Sequence, residues 1–310
     1  MGQWAQMLRS SFAKGDEERD RGLTTPDNMI RYDDIRYGSD ADAQKLDLYR
    51  RKEDAGRPLS VIVSVHGGGW VYGSKEVYQF YCMDLAERGF AVVNFSYRLA
   101  PEAQHPAPLE DTNLVFSWIL EHAAEYGLDT QQIVAVGDSA GAHILSMYLA
   151  VMTNPDYAAQ YAFTIPEGLK IRAAALNCGE YLVDYDDPSI EDMMRGLMAD
   201  YLPEGGTQQE RARISPVNYI TAEYPPVFLM SSAADFLKGQ APGMAAALTR
   251  NNVPFCYRFY GSSSNQLPHV FHLDIRSEDA RICNDEECAF FRKILEKESS
   301  SGANGVPDPE

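Results

Sequence analysis

Gly137-Asp138-Ser139-Ala140-Gly141 places a serine between two glycines, with one residue on each side. A serine hydroxyl attacks carbonyl carbon only when a base removes its proton and the chain presents its oxygen. The G-x-S-x-G spacing suits that task when a strand runs in and a helix runs out. Here an apolar run ends at Val136 and a helical pattern begins at Ala140. A second stretch, His66-Gly67-Gly68-Gly69-Trp70, directly follows the β-branched run Val61–Val65. Consecutive glycines leave their N–H groups unobstructed, as main-chain stabilisation of an oxyanion requires. Neither GxGxxG nor GxxxxGK[ST] fits these residues, so a nucleotide cradle is not expected. His66 reads as a residue that orders the glycine loop rather than as a base.

Further residues add to these two motifs: Tyr97-Arg98-Leu99-Ala100-Pro101-Glu102, and Pro108 with Leu109-Glu110-Asp111. With HGGGW and GDSAG they resemble the hormone-sensitive-lipase-like esterases of the α/β-hydrolase superfamily, over about residues 30 to 297. The resemblance implies an α/β fold with a mostly parallel sheet, flanking helices and a small helical lid. It also implies a Ser, Asp, His triad in that chain order, with no cofactor and no metal. After Ser139 the histidines are His143, His269 and His272. His143 lies one turn along the helix and reads as structural. His269-Val270-Phe271 resembles the family's H-x-F, which makes His269 the base and leaves His272 a supporting or helix-face residue. Ala233-Ala234-Asp235-Phe236-Leu237 resembles the family's Asp loop, although Phe236 and Lys238 depart from its D-P-L and following acid. Asp274 and Asp279 come after the histidine, in the wrong order. The oxyanion would be received by Gly68, Gly69 and Ala140, with Gly67 shaping the loop. Trp70 and Tyr72 either line the substrate pocket or simply pack, and Arg98 is expected to pair with Asp111. The implied reaction is hydrolysis of short-chain carboxylic esters through an acyl-enzyme. An amidase or formamidase on the same scaffold is the alternative, and a non-catalytic small-ligand binder a further one.

These residues need a rigid frame. Apolar strand-like runs at 60–65, 90–95, 133–136, 171–176, 227–230 and 255–260 alternate with helical patterns at 108–126, 140–152 and 243–250. Cys288, Phe291 and Leu295 mark a closing amphipathic helix. Such alternation predicts βαβ units. Residues 1–25 read as an arm that joins the lid, 26–297 as the hydrolase domain, and 298–310 as a disordered tail. Residues 178–218 interrupt the alternation and carry Met193, Met194 and Met198, so a lid is expected there.

Composition narrows the partners. The 310 residues carry 27 Lys and Arg against 45 Asp and Glu, a net charge of −18. That balance repels phosphate backbones and anionic membranes, so neither is an expected partner; a small-molecule ester is. Five cysteines, scattered and without a CxxC, suit unpaired thiols in a reducing cytoplasm and give no zinc spacing. No secretory apolar run or myristoylation pattern is expected at the N-terminus, and no apolar run spans a bilayer. Asn94-Phe95-Ser96 matches a glycosylation acceptor but sits in a strand-like run. Oligomeric state, a homodimer included, is left open.

Overall fold

Val61, Val63 and Val65 join one apolar cluster, whereas Ile62 joins another; Val92 and Val93 divide in the same way. This two-residue period turns alternate side chains to opposite faces of a sheet. Both faces are covered, which explains why these strands are apolar throughout rather than alternately polar. In a computed structural model that describes residues 2–184 and 192–302, eight strands form one sheet. They are β1 (Met29–Arg36), β2 (Lys45–Arg51), β3 (Leu59–Val65), β4 (Ala91–Phe95), β5 (Leu128–Asp138), β6 (Ile171–Asn177), β7 (Val227–Ser232) and β8 (Phe255–Tyr260). Their order is β1-β2-β4-β3-β5-β6-β7-β8. Only the β1–β2 and β2–β4 pairs are antiparallel.

The helices are α1 (Gln3–Asp20), α2 (Lys75–Glu87), α3 (Ala107–Tyr126), α4 (Ala140–Thr153), α5 (Pro155–Ala158), α6 (Asp192–Tyr201), α7 (Gln208–Arg213), α8 (Gln240–Arg250) and α9 (Glu278–Gly302). The anticipated α/β architecture is therefore present, with elements the sequence patterns did not reveal, among them β1, β2 and α2. β2 carries Lys45, Asp47, Arg50 and Arg51, yet most of it is buried. Its charges are satisfied inside: Lys75 Nζ lies 2.9 Å from Asp47, and Arg50 donates to the carbonyls of Tyr126, Asp54 and Arg57. The closing helix runs to Gly302, across the start of the tail expected from residue 298; residues 303–310 lie outside the described residues.

The arm and the insertion meet. Trp4 on α1 packs on Gly196 of α6 so closely that a Cβ there would collide with the indole. Arg9 ties α1 to the body by donating to the carbonyls of Val71 and Ala100 and pairing with Glu102. Part of the segment expected to form a lid, residues 185–191, lies outside the described residues. Among the described residues no helix is long and apolar enough to cross a membrane.

Candidate active site

The turn from β5 into α4 sets Ser139 at φ 52° and ψ −121°. A non-glycine residue held there stores about 1–3 kcal/mol of strain, which the surroundings must over-determine. They do so through two contacts. The Ser139 N–H donates to the carbonyl of Asn177 at the end of β6, 2.9 Å away. Gly141 presses against the carbonyls of Val65 and His66, where any side chain would collide.

Ser139 Oγ faces His269 Nε2 at 2.9 Å, and His269 Nδ1 faces Asp235 Oδ1 at 2.6 Å. With Nδ1–H donating to the carboxylate, Nε2 is left to accept the serine proton. The two loops that carry His269 and Asp235 are fastened side by side. Ala234 N–H donates to Leu267 O at 2.9 Å, and Ser232 Oγ donates to Pro268 O at 2.9 Å. Asp235 is buried, and burial alone would raise its pKa. The hydrogen bonds from His269, Leu237 N–H and Ser231 Oγ outweigh that and hold it below the usual carboxylate value. The departure at Phe236 has a visible consequence. This ring is 64% exposed and stands 4.3 Å from the His269 imidazole.

On the other side of Ser139, Gly68 has φ 117°, and a Cβ would strike the Tyr72 carbonyl. Its own carbonyl accepts from Val71 and Tyr72 N–H, which fixes the turn. Among the described residues no protein group accepts from the N–H of Gly68 or Gly69. Ala140 opens α4, so its N–H has no intrahelical partner. Gly67 is held by a relay: its N–H donates to Tyr78 Oη (2.9 Å), which donates to Asp138 Oδ2 (2.7 Å). Burial raises Asp138 to about 7. His66 stacks on Tyr97 at 4.0 Å and donates from Nδ1 to the Gly67 carbonyl, and burial lowers its pKa to about 4. It holds the loop, as expected, and faces no reacting atom.

A cavity of about 380 Å³ opens onto Ser139 and His269. Its far walls come from α1 (Leu8, Phe12, Asp16) and α6 (Met193, Met194, Leu197). Trp70 and Tyr72 line it and are also tied into the structure. Trp70 Nε1–H donates to His143 Nδ1 (3.1 Å), and Tyr72 Oη donates to Asp16 (2.8 Å). Met198 lies in the core instead of the cavity.

Residues 46–238 match the BD-FAE family. The chain belongs to that family. Curated relatives of this BD-FAE chain include Esterase LipC of Mycobacterium tuberculosis, 28% identical over 211 residues (65% of this chain, 50% of that protein). Carboxylic ester hydrolase LipM of the same organism, described as probable, is 32% identical over 213 residues (66% and 48%). Human hormone-sensitive lipase is 32% identical over 152 residues, 46% of this chain and 14% of that protein. The chain spans about half the length of the first of these curated relatives. Among solved structures, esterase B of Lactobacillus rhamnosis superposes with a TM-score of 0.87 at 21% identity, covering 97% of this chain and 96% of that one. An esterase of Pyrobaculum calidifontis gives 0.74 at 22% identity, with 94% and 93% covered. These likenesses establish the α/β-hydrolase fold for the BD-FAE chain.

The other two histidines that follow Ser139 are buried. His143 Nε2–H donates to Ile214 O at 2.7 Å, so this imidazole bridges Trp70 to residue 214. His272 is fully buried against Tyr81, and burial lowers its pKa to about 3; it does not contact Ser139. Sequence reasoning missed Tyr78 and Asn177, whereas it placed residues 1–25 at the lid, where α1 lines the cavity. No motif marks Tyr78 or Asn177; only the topology brings them to the site. Arg98 donates to Asp111 from both its backbone N–H and its guanidinium, as anticipated.

Proposed function

We propose that this chain is a carboxylic ester hydrolase that works through a serine acyl-enzyme. The observation that carries the reading is the hydrogen-bond path from Ser139 Oγ through His269 to Asp235. In this reading His269 Nε2 takes the Ser139 proton as the oxygen attacks the ester carbonyl. Asp235 keeps the imidazole in the right tautomer and stabilises the imidazolium. The N–H groups of Gly68, Gly69 and Ala140 receive the oxyanion, each contributing about 3 kcal/mol of transition-state stabilisation. His269 then protonates the leaving alcohol, and water attacks the acyl-enzyme by the same route. The esterase and carboxylic ester hydrolase names of the curated relatives support the same reaction class.

Substrate size follows from the cavity. In this reading α1 and α6 act as a lid whose inner face, with Leu8, Phe12, Met193 and Leu197, bounds the acyl chain. Each buried CH₂ gains about 0.8 kcal/mol only while space remains, so acyl chains of roughly two to six carbons are favoured. The test is a hydrolysis screen over aryl esters of graded acyl length, with matched aryl amides. Turnover should peak at short chains, with amides far slower. Faster amide turnover, or a maximum on emulsified long-chain triglycerides, would overturn the proposal.

A further inference from the structure

Cys178 follows directly on β6 and is 1% exposed, at φ 49°. Its side chain does not line Ser139's cavity. One donor atom from each of Cys178, Asp235 and His269 lies within 4.8 Å of the other two. Thiolate sulfur, carboxylate oxygen and imidazole nitrogen together form the donor set that zinc and other thiophilic divalent ions select. A tetrahedral zinc centre spaces such donors about 3.3–3.8 Å apart, so side-chain movements of about 1 Å would close the set. The sequence spacing gave no zinc motif because these three residues are separated by 57 and 34 positions and meet only in the folded sheet.

We propose that Cys178, Asp235 and His269 form an inhibitory site for thiophilic divalent cations such as zinc and cadmium. The inhibitory consequence rests on the reading of His269 as base; the binding site itself does not. The chemistry balances without a co-reactant. The cation takes the Cys178 sulfur, whose proton leaves to solvent, together with an Asp235 oxygen and His269 Nδ1. The proton that Nδ1 carried in its bond to Asp235 moves to Nε2. Nε2–H then faces Ser139 Oγ as a donor and can no longer accept the serine proton. The side chain of His269 is 19% exposed and gives the ion its way in from the cavity.

The experiment uses the full chain, stripped of metal by a chelator and then titrated with Cd²⁺, with Mg²⁺ as the hard-ion control. Two readouts are followed: hydrolysis of a short ester and the ultraviolet charge-transfer band of a cadmium thiolate. Cd²⁺ should inhibit reversibly, chelator should restore activity, and Mg²⁺ should do neither. Cys178→Ala should lose the band and need at least about tenfold more Cd²⁺ for half-inhibition of its own uninhibited rate, a 1.4 kcal/mol loss in binding. Ser139→Ala should be inactive yet keep the band, so failure of the esterase reading is distinguishable from failure of the site. Equal cadmium sensitivity in wild type and Cys178→Ala, or a band that survives in Cys178→Ala, overturns the proposal. Should Cys178→Ala not fold, His269→Gln takes its place: a band at undiminished Cd²⁺ affinity in that variant overturns it equally.

Discussion

Ser139 sits in a backbone conformation that any Cβ resists, so its strain and its role can be separated by substitution. Ser139→Ala and Ser139→Gly should both lose ester hydrolysis, but only the glycine variant relieves the turn. Relief of about 1 kcal/mol predicts a Tm roughly 2 °C higher for Ser139→Gly than for Ser139→Ala, measured by thermal unfolding. A Ser139→Gly Tm roughly 2 °C below that of Ser139→Ala, the drop that glycine's unfolded-state freedom alone would cause, would mean that the turn is unstrained. The two late histidines differ as sharply. His269→Ala should lose roughly 10⁴ in kcat, and Asp235→Asn about as much through the wrong tautomer. His272→Ala should leave kcat per folded molecule nearly unchanged while lowering stability, because it empties a buried site beside Tyr81. A larger kcat loss in His272→Ala than in His269→Ala would reverse the assignment.

At the scale of elements, the packing of α1 on α6 is the testable joint. Gly196→Val would push Trp4 away and open the cavity wall that Leu8 and Leu197 share. KM for a short ester should rise several-fold with kcat little changed, the signature of lost uniform binding. An unchanged KM would remove α1 from the binding wall. The parts of the fold legible in sequence were those whose side chains announce their burial. β3, β4, β6 and β7 read as strands because both faces are apolar. β2 did not, since Asp47, Arg50 and Lys45 carry charge that only tertiary partners neutralise. The geometry at Ser139, His269 and Asp235 was foreshadowed by motif resemblance. Tyr78 and Asn177 were not, because each reaches the site across 60 or so residues, or across strands, without a local pattern.

For the whole molecule, proton linkage sets a direction. Burial lowers His66 and His143 to about 4 and His105 and His272 to about 3. Burial raises Asp138 and Glu287 to about 7. On unfolding between about pH 4.5 and 6.5, each of the four histidines takes up a proton and each of the two carboxyls releases one. The histidines outnumber the carboxyls, so unfolding binds protons and stability falls as pH falls, by about 3 kcal/mol per unit at the steepest. Asp235, depressed in the fold, adds a further loss as pH falls through the carboxylate range. The urea midpoint should therefore be lower at pH 5 than at pH 7, and the opposite order would mean that the two carboxyls dominate.

The cavity's far walls come from α1 and α6, whereas Ser139, Asp235 and His269 hang from the ends of β5, β7 and the loop after β8. Mutation can therefore reshape what the molecule accepts without disturbing where its reactive atoms stand. A laboratory selection for new substrates should accordingly gather its winning changes at Leu8, Phe12, Met193 and Met194, and leave the sheet's inheritance intact.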